Sequence, residues 1–343
     1  MNRLIRHLPL FCLLLPLAAC GGKNEEAQQQ AVQALIDRTL SELVFVEGGT
    51  FWMGDYLHGL YPGNEGEPQW WSMGSDNKVQ HQVTLDSFHI QKHEVTYDEF
   101  DTYTKATQQP LLRERSLRGK RPFRQPNRPA NANWHQARAY CLWLGEQTGL
   151  PFDLPTEAQW EYAARSRGQW VGVATDDGYP DFGRNLPNFE RYPHDVCTYP
   201  PNPLGLCDMS ANVAEWVLDW YATDYYLYSP QKNPQGPPSG ELKVTRGGSI
   251  MTDPHLAWNA YRRDASNPEK GLYIHGFRCV VNTAEPIPQA HIPPDDAEIK
   301  HRLARGLLPP IHPPGSNNII LPDESTRCAS CPHNWRQRPW RDK

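Results

Sequence analysis

Proline sets the first limit on this chain. Thirty-three of its 343 residues are Pro, roughly twice the usual share. An interior Pro removes a helical N–H and clashes with the preceding turn, so a bundle of long helices is excluded. Eleven prolines fall in the last sixty residues, with pairs at Pro293-Pro294, Pro309-Pro310 and Pro313-Pro314. The remainder is 11% aromatic and only 21% charged, which excludes a wholly disordered chain. Only one apolar run stands out, and it is too short and solitary for a multi-span membrane protein. A net charge of −5 gives no overall positive field for nucleic acid, and no nucleic-acid partner is expected. These features predict a loop-rich globular domain with a Pro-rich extension.

The compartment follows from the first twenty residues. Arg3 and Arg6 precede an apolar run from Leu8 to Leu17, and small residues Ala18 and Ala19 lead to Cys20. A basic start, a short apolar segment and a small-residue cleavage site make a secretory signal over 1–19. Leu17-Ala18-Ala19-Cys20 resembles the bacterial lipobox, which implies that Cys20 is lipidated and anchors the chain in a membrane. Gly21 and Gly22 follow without an Asp, a pattern similar to outer-membrane sorting. The expected location is the bacterial cell envelope, lipid-anchored at the outer membrane and facing the periplasm. Six cysteines then remain: Cys141, Cys197, Cys207, Cys279, Cys328 and Cys331. An even number in an oxidising compartment predicts three disulfides.

Residues 20–42 are polar and mildly helical, with Ala27, Ala31, Leu35 and Ile36 near one face, and are expected to be a tether. The body begins at the strand-like Leu43-Val44-Phe45-Val46 and ends near residue 283. Within it, Glu99–Thr104 and Trp134–Thr148 read as helices, the second ended by Gly149. Thr156 with Gln159 three residues on predicts a capped helix through Ala164. From 284 to 343 the chain reads as an extended tail that wraps the body or reaches a partner.

Seven segments in order carry a family likeness. They are Gly49-Thr50-Phe51-Trp52-Met53-Gly54, Glu94-Val95-Thr96-Tyr97, Ala139-Tyr140-Cys141-Leu142-Trp143, Leu154-Pro155-Thr156-Glu157-Ala158-Gln159-Trp160-Glu161-Tyr162, Asn212-Val213-Ala214-Glu215-Trp216, Arg246-Gly247-Gly248-Ser249 and Gly276-Phe277-Arg278-Cys279. Together they closely resemble the formylglycine-generating enzyme, or sulfatase-modifying-factor, family. The resemblance implies a single compact α+β domain of C-type-lectin-like fold with little regular secondary structure, over residues 43–283. It also implies a Cys141–Cys279 disulfide. Cys197 and Cys207 are expected to form a second, local bridge.

The founding activity of that family oxidises a sulfatase cysteine to formylglycine with copper held by two cysteines. Those cysteines lie three and eight residues after the Ser matched here by Ser249, at Thr252 and Ala257. Neither supplies a thiolate, and no cysteine lies between Cys207 and Cys279. A soft Cu(I) site needs such ligands, so no copper and no formylglycine generation are expected. The degenerate cleft would hold Ser249, Thr252, Asp253, His255, Ala257 and His275. The alternative is an enzyme with different chemistry in that cleft, modifying a periplasmic peptide or metabolite around Ser249, His255, His275 and Arg278. The preferred expectation is a binding role toward an envelope protein, as a secretion-system accessory or immunity component.

The resemblance implies one metal. Asn212, the carbonyl of Val213 and Glu215 match the family's structural calcium motif, and hard Ca²⁺ takes such oxygens. Ala211 departs from the family's usual Gly. His81, His89 and His93 read as surface or satisfied histidines, not as ligands. Cys328-Ala329-Ser330-Cys331 reads as a small tail disulfide ahead of a zinc or redox site. Two basic stretches, Arg113 to Arg128 and Arg327 to Lys343 with Trp335 and Trp340, read as solvated or as contacts for acidic headgroups or protein faces.

Overall fold

The computed structural model describes residues 19–61, 64–70, 72, 74–113, 124–188, 192–251, 260 and 263–303. Helix α1, Ala19–Ser41, opens it. Its buried stripe is Leu35, Ile36 and Thr39, flanked by the partly buried Val32 and Leu40, the i, i+3, i+4, i+7 spacing of one helical face. Ala27 and Ala31 are exposed, so the apolar face lies further along the helix than expected. This stripe packs into the same cluster as Phe100, Tyr140 and Leu144. The second half of the expected tether is therefore part of the body.

Helices α2 (Tyr97–Ala106), α3 (Trp134–Thr148) and α4 (Glu157–Ala164) all begin with a capping box, formed by Thr96 with Glu99, Asn133 with Gln136 and Thr156 with Gln159. Each box satisfies two amide groups that the first turn would otherwise orphan. Gly149 ends α3 in the left-handed region, at φ 71°, where only Gly carries no steric penalty.

The strands are short. β1 (Leu43–Val46), β6 (Phe88–Gln91), β12 (Val280–Val281) and β7 (Phe152–Asp153) form one antiparallel sheet in that order. β10 (Arg263–Ser266), β9 (Lys243–Arg246), β8 (Ala214–Trp220) and β11 (His275–Gly276) form a second, in which β11 runs parallel to β8. β2 (Gly49–Met53) pairs with β5 (His81–Leu85), and β3 (Leu57–Tyr61) with β4 (Asn64–Trp70). Small strands and long ordered loops give the expected α+β domain of low regular secondary structure.

Two covalent bridges brace it. Cys141 of α3 is bonded to Cys279 just before β12, and Cys197 to Cys207. The first spans 138 residues, and closing a loop of that length removes about 4–5 kcal/mol of unfolded-chain entropy in the chain-entropy account. The tail also packs on the body. Phe45 N–H donates to the His291 carbonyl and His291 N–H to that of Leu43, while Ile299 of α5 (Asp296–Arg302) is fully buried. Residues 284–303 thus wrap the domain. Cys12, Cys328 and Cys331 lie outside the described residues, and of Cys20 only the backbone is described, in the first turn of α1.

Candidate functional site

Arg246 anchors the segment expected to form the cleft. It is fully buried and donates from Nη2 to Glu161 Oε2 at 2.7 Å and to the Ala260 carbonyl at 2.9 Å. Glu157 joins Arg246 to Arg263, whose Nε lies 2.9 Å from Glu157 Oε1. Charges this deep must be paired to persist, and these pairs tie α4 to β9 and β10. The chain then turns through Gly247 and Gly248, at φ 88° and 68°. A Cβ on Gly247 would meet Trp160 Cζ2 at 3.0 Å, so Gly is required there both by backbone and by space.

Ser249 follows, nearly buried, and its Oγ accepts the Met251 N–H at 3.2 Å. His275 lies on β11 with its ring edge against Trp216, and its Nε2 is 3.3 Å from Ser266 Oγ. Burial lowers its pKa to about 4, so the ring is neutral near pH 7. Among the described residues, Ser249 Oγ bonds the Met251 N–H and His275 Nε2 faces Ser266. Thr252, Asp253, His255 and Ala257 lie outside the described residues.

Arg278, proposed as a cleft residue, is instead a fully buried anchor. Its Nε donates to Glu215 Oε2 at 2.7 Å and its Nη2 to Glu215 Oε1 at 2.6 Å. Trp160 Nε1 also donates to Glu215 Oε2. Both oxygens of the expected calcium ligand are therefore engaged by side chains. Asn212 Oδ1 accepts the His194 N–H at 3.1 Å.

The unclaimed oxygens nearby belong to Glu94, which the sequence reading missed. Glu94 is fully buried, and among the described residues no other residue bonds either carboxylate oxygen. Burial pushes its carboxyl well above the ordinary value, the charges of Asp208 and Glu215 push it further, and Arg278 opposes them. Asp208 is held by the Cys197 N–H at 2.7 Å and lies 3.2 Å from His194 Nε2, so the Cys197–Cys207 bridge braces the loop that carries it. That loop is unusual: Asp208, Ala211 and Asn212 all have positive φ, at 56°, 85° and 54°. A hard divalent cation with oxygen ligands would offset these acids. Among the described residues, Glu94, Asp208 and Glu215 do not bring one ligand atom each within 4.8 Å of one another, so backbone and amide oxygens would have to complete the set.

The three early histidines do not converge on one another. His81 Nδ1 sits 3.1 Å from the Val79 carbonyl, and His89 accepts the Ile287 N–H at Nε2, 3.0 Å away. His93 differs. Among the described residues, Glu42, His93 and Glu99 bring ligand atoms within 4.8 Å of one another. Two described arginines of the basic loop are structural: Arg113 donates to the Gly271 carbonyl, and Arg124 to Leu112 O and Asp101; Arg128 lies 3.5 Å from the exposed Asp195.

A cleft of about 510 Å³ lies elsewhere, lined by Arg138, Asp153, Thr156, Gln159, Asn233 and Asn282 among others. None of Ser249, His275, Glu94 or Glu215 lines it. No helix among the described residues is long and apolar enough to cross a membrane.

Known proteins share this architecture. The formylglycine-generating enzyme of Streptomyces coelicolor is 31% identical over 318 residues, covering 76% of this chain and 96% of that one. A Chlamydia pneumoniae protein named serine/threonine-protein kinase pkn1 is 34% identical over 305 residues, and the match covers 76% of this chain. The chain spans only 44% of the length of that relative. Among solved structures, PvdO from Pseudomonas aeruginosa has a TM-score of 0.55 at 26% identity, covering 70% of this chain and 94% of that one. Over residues 28–283 the sequence matches the Sulfatase-modifying factor enzyme 1-like domain, and the chain belongs to that family.

Proposed function

We propose that this chain is a lipid-anchored envelope protein that keeps the family scaffold without its copper chemistry. Cys20 carries the lipid, the body faces the periplasm from the outer membrane, and the domain binds an envelope protein as an accessory or immunity component of a secretion system. The observation that carries the copper-free reading concerns the cysteines. Residues 208–278 contain none, and the cysteines that bound this stretch, Cys207 and Cys279, are both in disulfides. A disulfide sulfur is not a thiolate and cannot replace the pair that a soft Cu(I) site needs.

Structural calcium belongs to the same proposal. Glu94 and Asp208 would supply carboxylate oxygens, with the Val213 carbonyl, Asn212 and Glu215 completing the surroundings. The ion would fix the loop 208–212 and offset the buried acids; it takes no part in any reaction.

The test is lipid labelling with envelope capture. Radiolabelled palmitate should enter the wild type and not Cys20→Ser. Affinity capture from solubilised envelope should bring down a stoichiometric protein partner together with calcium. Unlabelled wild type would remove the anchor, and an equivalent of bound copper or iron would overturn the copper-free reading.

A further inference from the structure

We propose that Glu42, His93 and Glu99 form a second metal site, for a divalent ion of the zinc class, at the junction of α1 with the body. Glu42 stands immediately after the last residue of α1, His93 lies in the segment between β6 and α2, and Glu99 is in the first turn of α2. Their ligand atoms lie within 4.8 Å of one another.

The orientation of His93 suits a metal ligand. Its Nδ1 is 2.8 Å from the Glu94 carbonyl. A carbonyl oxygen only accepts, so Nδ1 carries the proton. Nε2 faces Glu42 Oε2 at 3.2 Å, and with no proton on Nε2 its lone pair is turned toward that carboxylate. Two acceptors that close need a positive charge between them, either a proton or a metal. An imidazole whose other N–H rests on a backbone carbonyl has the orientation that metal-bound histidines take.

The third ligand is prepared by the helix cap. Glu99 Oε2 accepts from Thr96 N–H and Oγ1–H at 2.7 and 2.8 Å. Its Oε1 faces Arg38 Nη2 at 3.6 Å. Arg38 is about half exposed and also lies 3.7 Å from Asp98 Oδ2, so it has an alternative partner when a metal takes Oε1. One imidazole nitrogen with two carboxylates suits zinc, whereas the oxygen set around Glu94 suits calcium. The two proposals therefore stand separately. An ion here would clamp the end of α1 to α2.

Cobalt is the probe, because Co²⁺ replaces zinc and absorbs visible light when nitrogen and oxygen ligands enclose it. The full-length protein in detergent is titrated with Co²⁺ and then Zn²⁺ in excess calcium, which saturates the oxygen site. One equivalent of cobalt should bind with visible absorption and be displaced by zinc. Glu42→Gln, at a partly exposed position, and His93→Gln should each weaken binding by more than the ~10–100-fold that loss of a supporting partner costs. Unchanged affinity in Glu42→Gln would overturn the proposal. So would a wild type that binds no cobalt below millimolar concentration, since the cluster would then be a proton-held ion pair.

Discussion

Arg278 grips Glu215 with two parallel hydrogen bonds, of 2.7 and 2.6 Å, where neither side chain has more than a trace of solvent exposure. The same guanidinium donates to the carbonyls of Gln91, Lys92 and Cys207. One side chain therefore joins β8, the end of β6 and the disulfide-braced loop. Arg278→Met should destabilise the fold by about 3–5 kcal/mol, because it strands Glu215 as a buried charge. Urea unfolding checks this. Adding Glu215→Met should recover part of the loss, since the stranded charge is then gone.

Ala211 occupies a left-handed position, at φ 85°, where a Cβ is costly. Ala211→Gly should stabilise the protein by about 0.5–1 kcal/mol, the relief of that strain less the added freedom of Gly in the unfolded chain. The small contact of Ala211 with Val173 and Leu186 reduces the gain slightly. A rise in the urea midpoint at constant slope is the expected reading.

Glu94 predicts a change of sign. With calcium at about one hundred times its Kd, the wild type should gain about 2.7 kcal/mol. Glu94→Gln should lose most of that gain. In chelator the order reverses, because the wild type then buries an uncompensated carboxyl and the variant does not. Thermal melts of both proteins with calcium and with EDTA measure the crossing.

His89 makes the tail sensitive to acid. Burial lowers its pKa from 6.5 to about 4, and its Nε2 accepts the Ile287 N–H, which a protonated ring cannot do. Between those values the unfolded chain binds the extra proton. The contribution of His89 is therefore full above pH 6.5 and is lost as pH falls through 4, about 3 kcal/mol in all. His275 titrates in the same window, so the measurement is the difference between wild type and His89→Gln across pH 7 to 4. Hydrogen exchange at Ile287 should accelerate in acid in the wild type.

Local chemistry was legible in the sequence. Thr156 with Gln159 announced its helix start, Gly149 its helix stop, and the local Cys197–Cys207 bridge forms as expected; the Cys141–Cys279 bridge, which spans 138 residues, was implied by the family resemblance alone. The buried stripe of α1 was misplaced toward Ala27 and Ala31, because Ala is compatible with either face and only packing decides. The Arg246–Glu157 and Arg263–Glu157 pairs join residues 89 and 106 apart; no local pattern encodes such meetings. Glu94 was read only as part of a motif. A carboxylate buried without a donor looks in sequence like any surface Glu, and only its surroundings reveal it. His93 reads in sequence as a satisfied histidine, because its partners Glu42, just after α1, and Glu99, on α2, are brought together only by the fold.

The proposal of a copper-free scaffold, with Thr252 and Ala257 at the positions the resemblance assigns to copper thiolates, predicts that this chain generates no formylglycine. The purified protein, loaded with Cu(I) and incubated aerobically with a Cys-x-Pro-x-Arg peptide, tests it by mass spectrometry of the peptide. An unmodified cysteine and no aldehyde above a protein-free control are expected. Aldehyde that accumulates with protein concentration would contradict it.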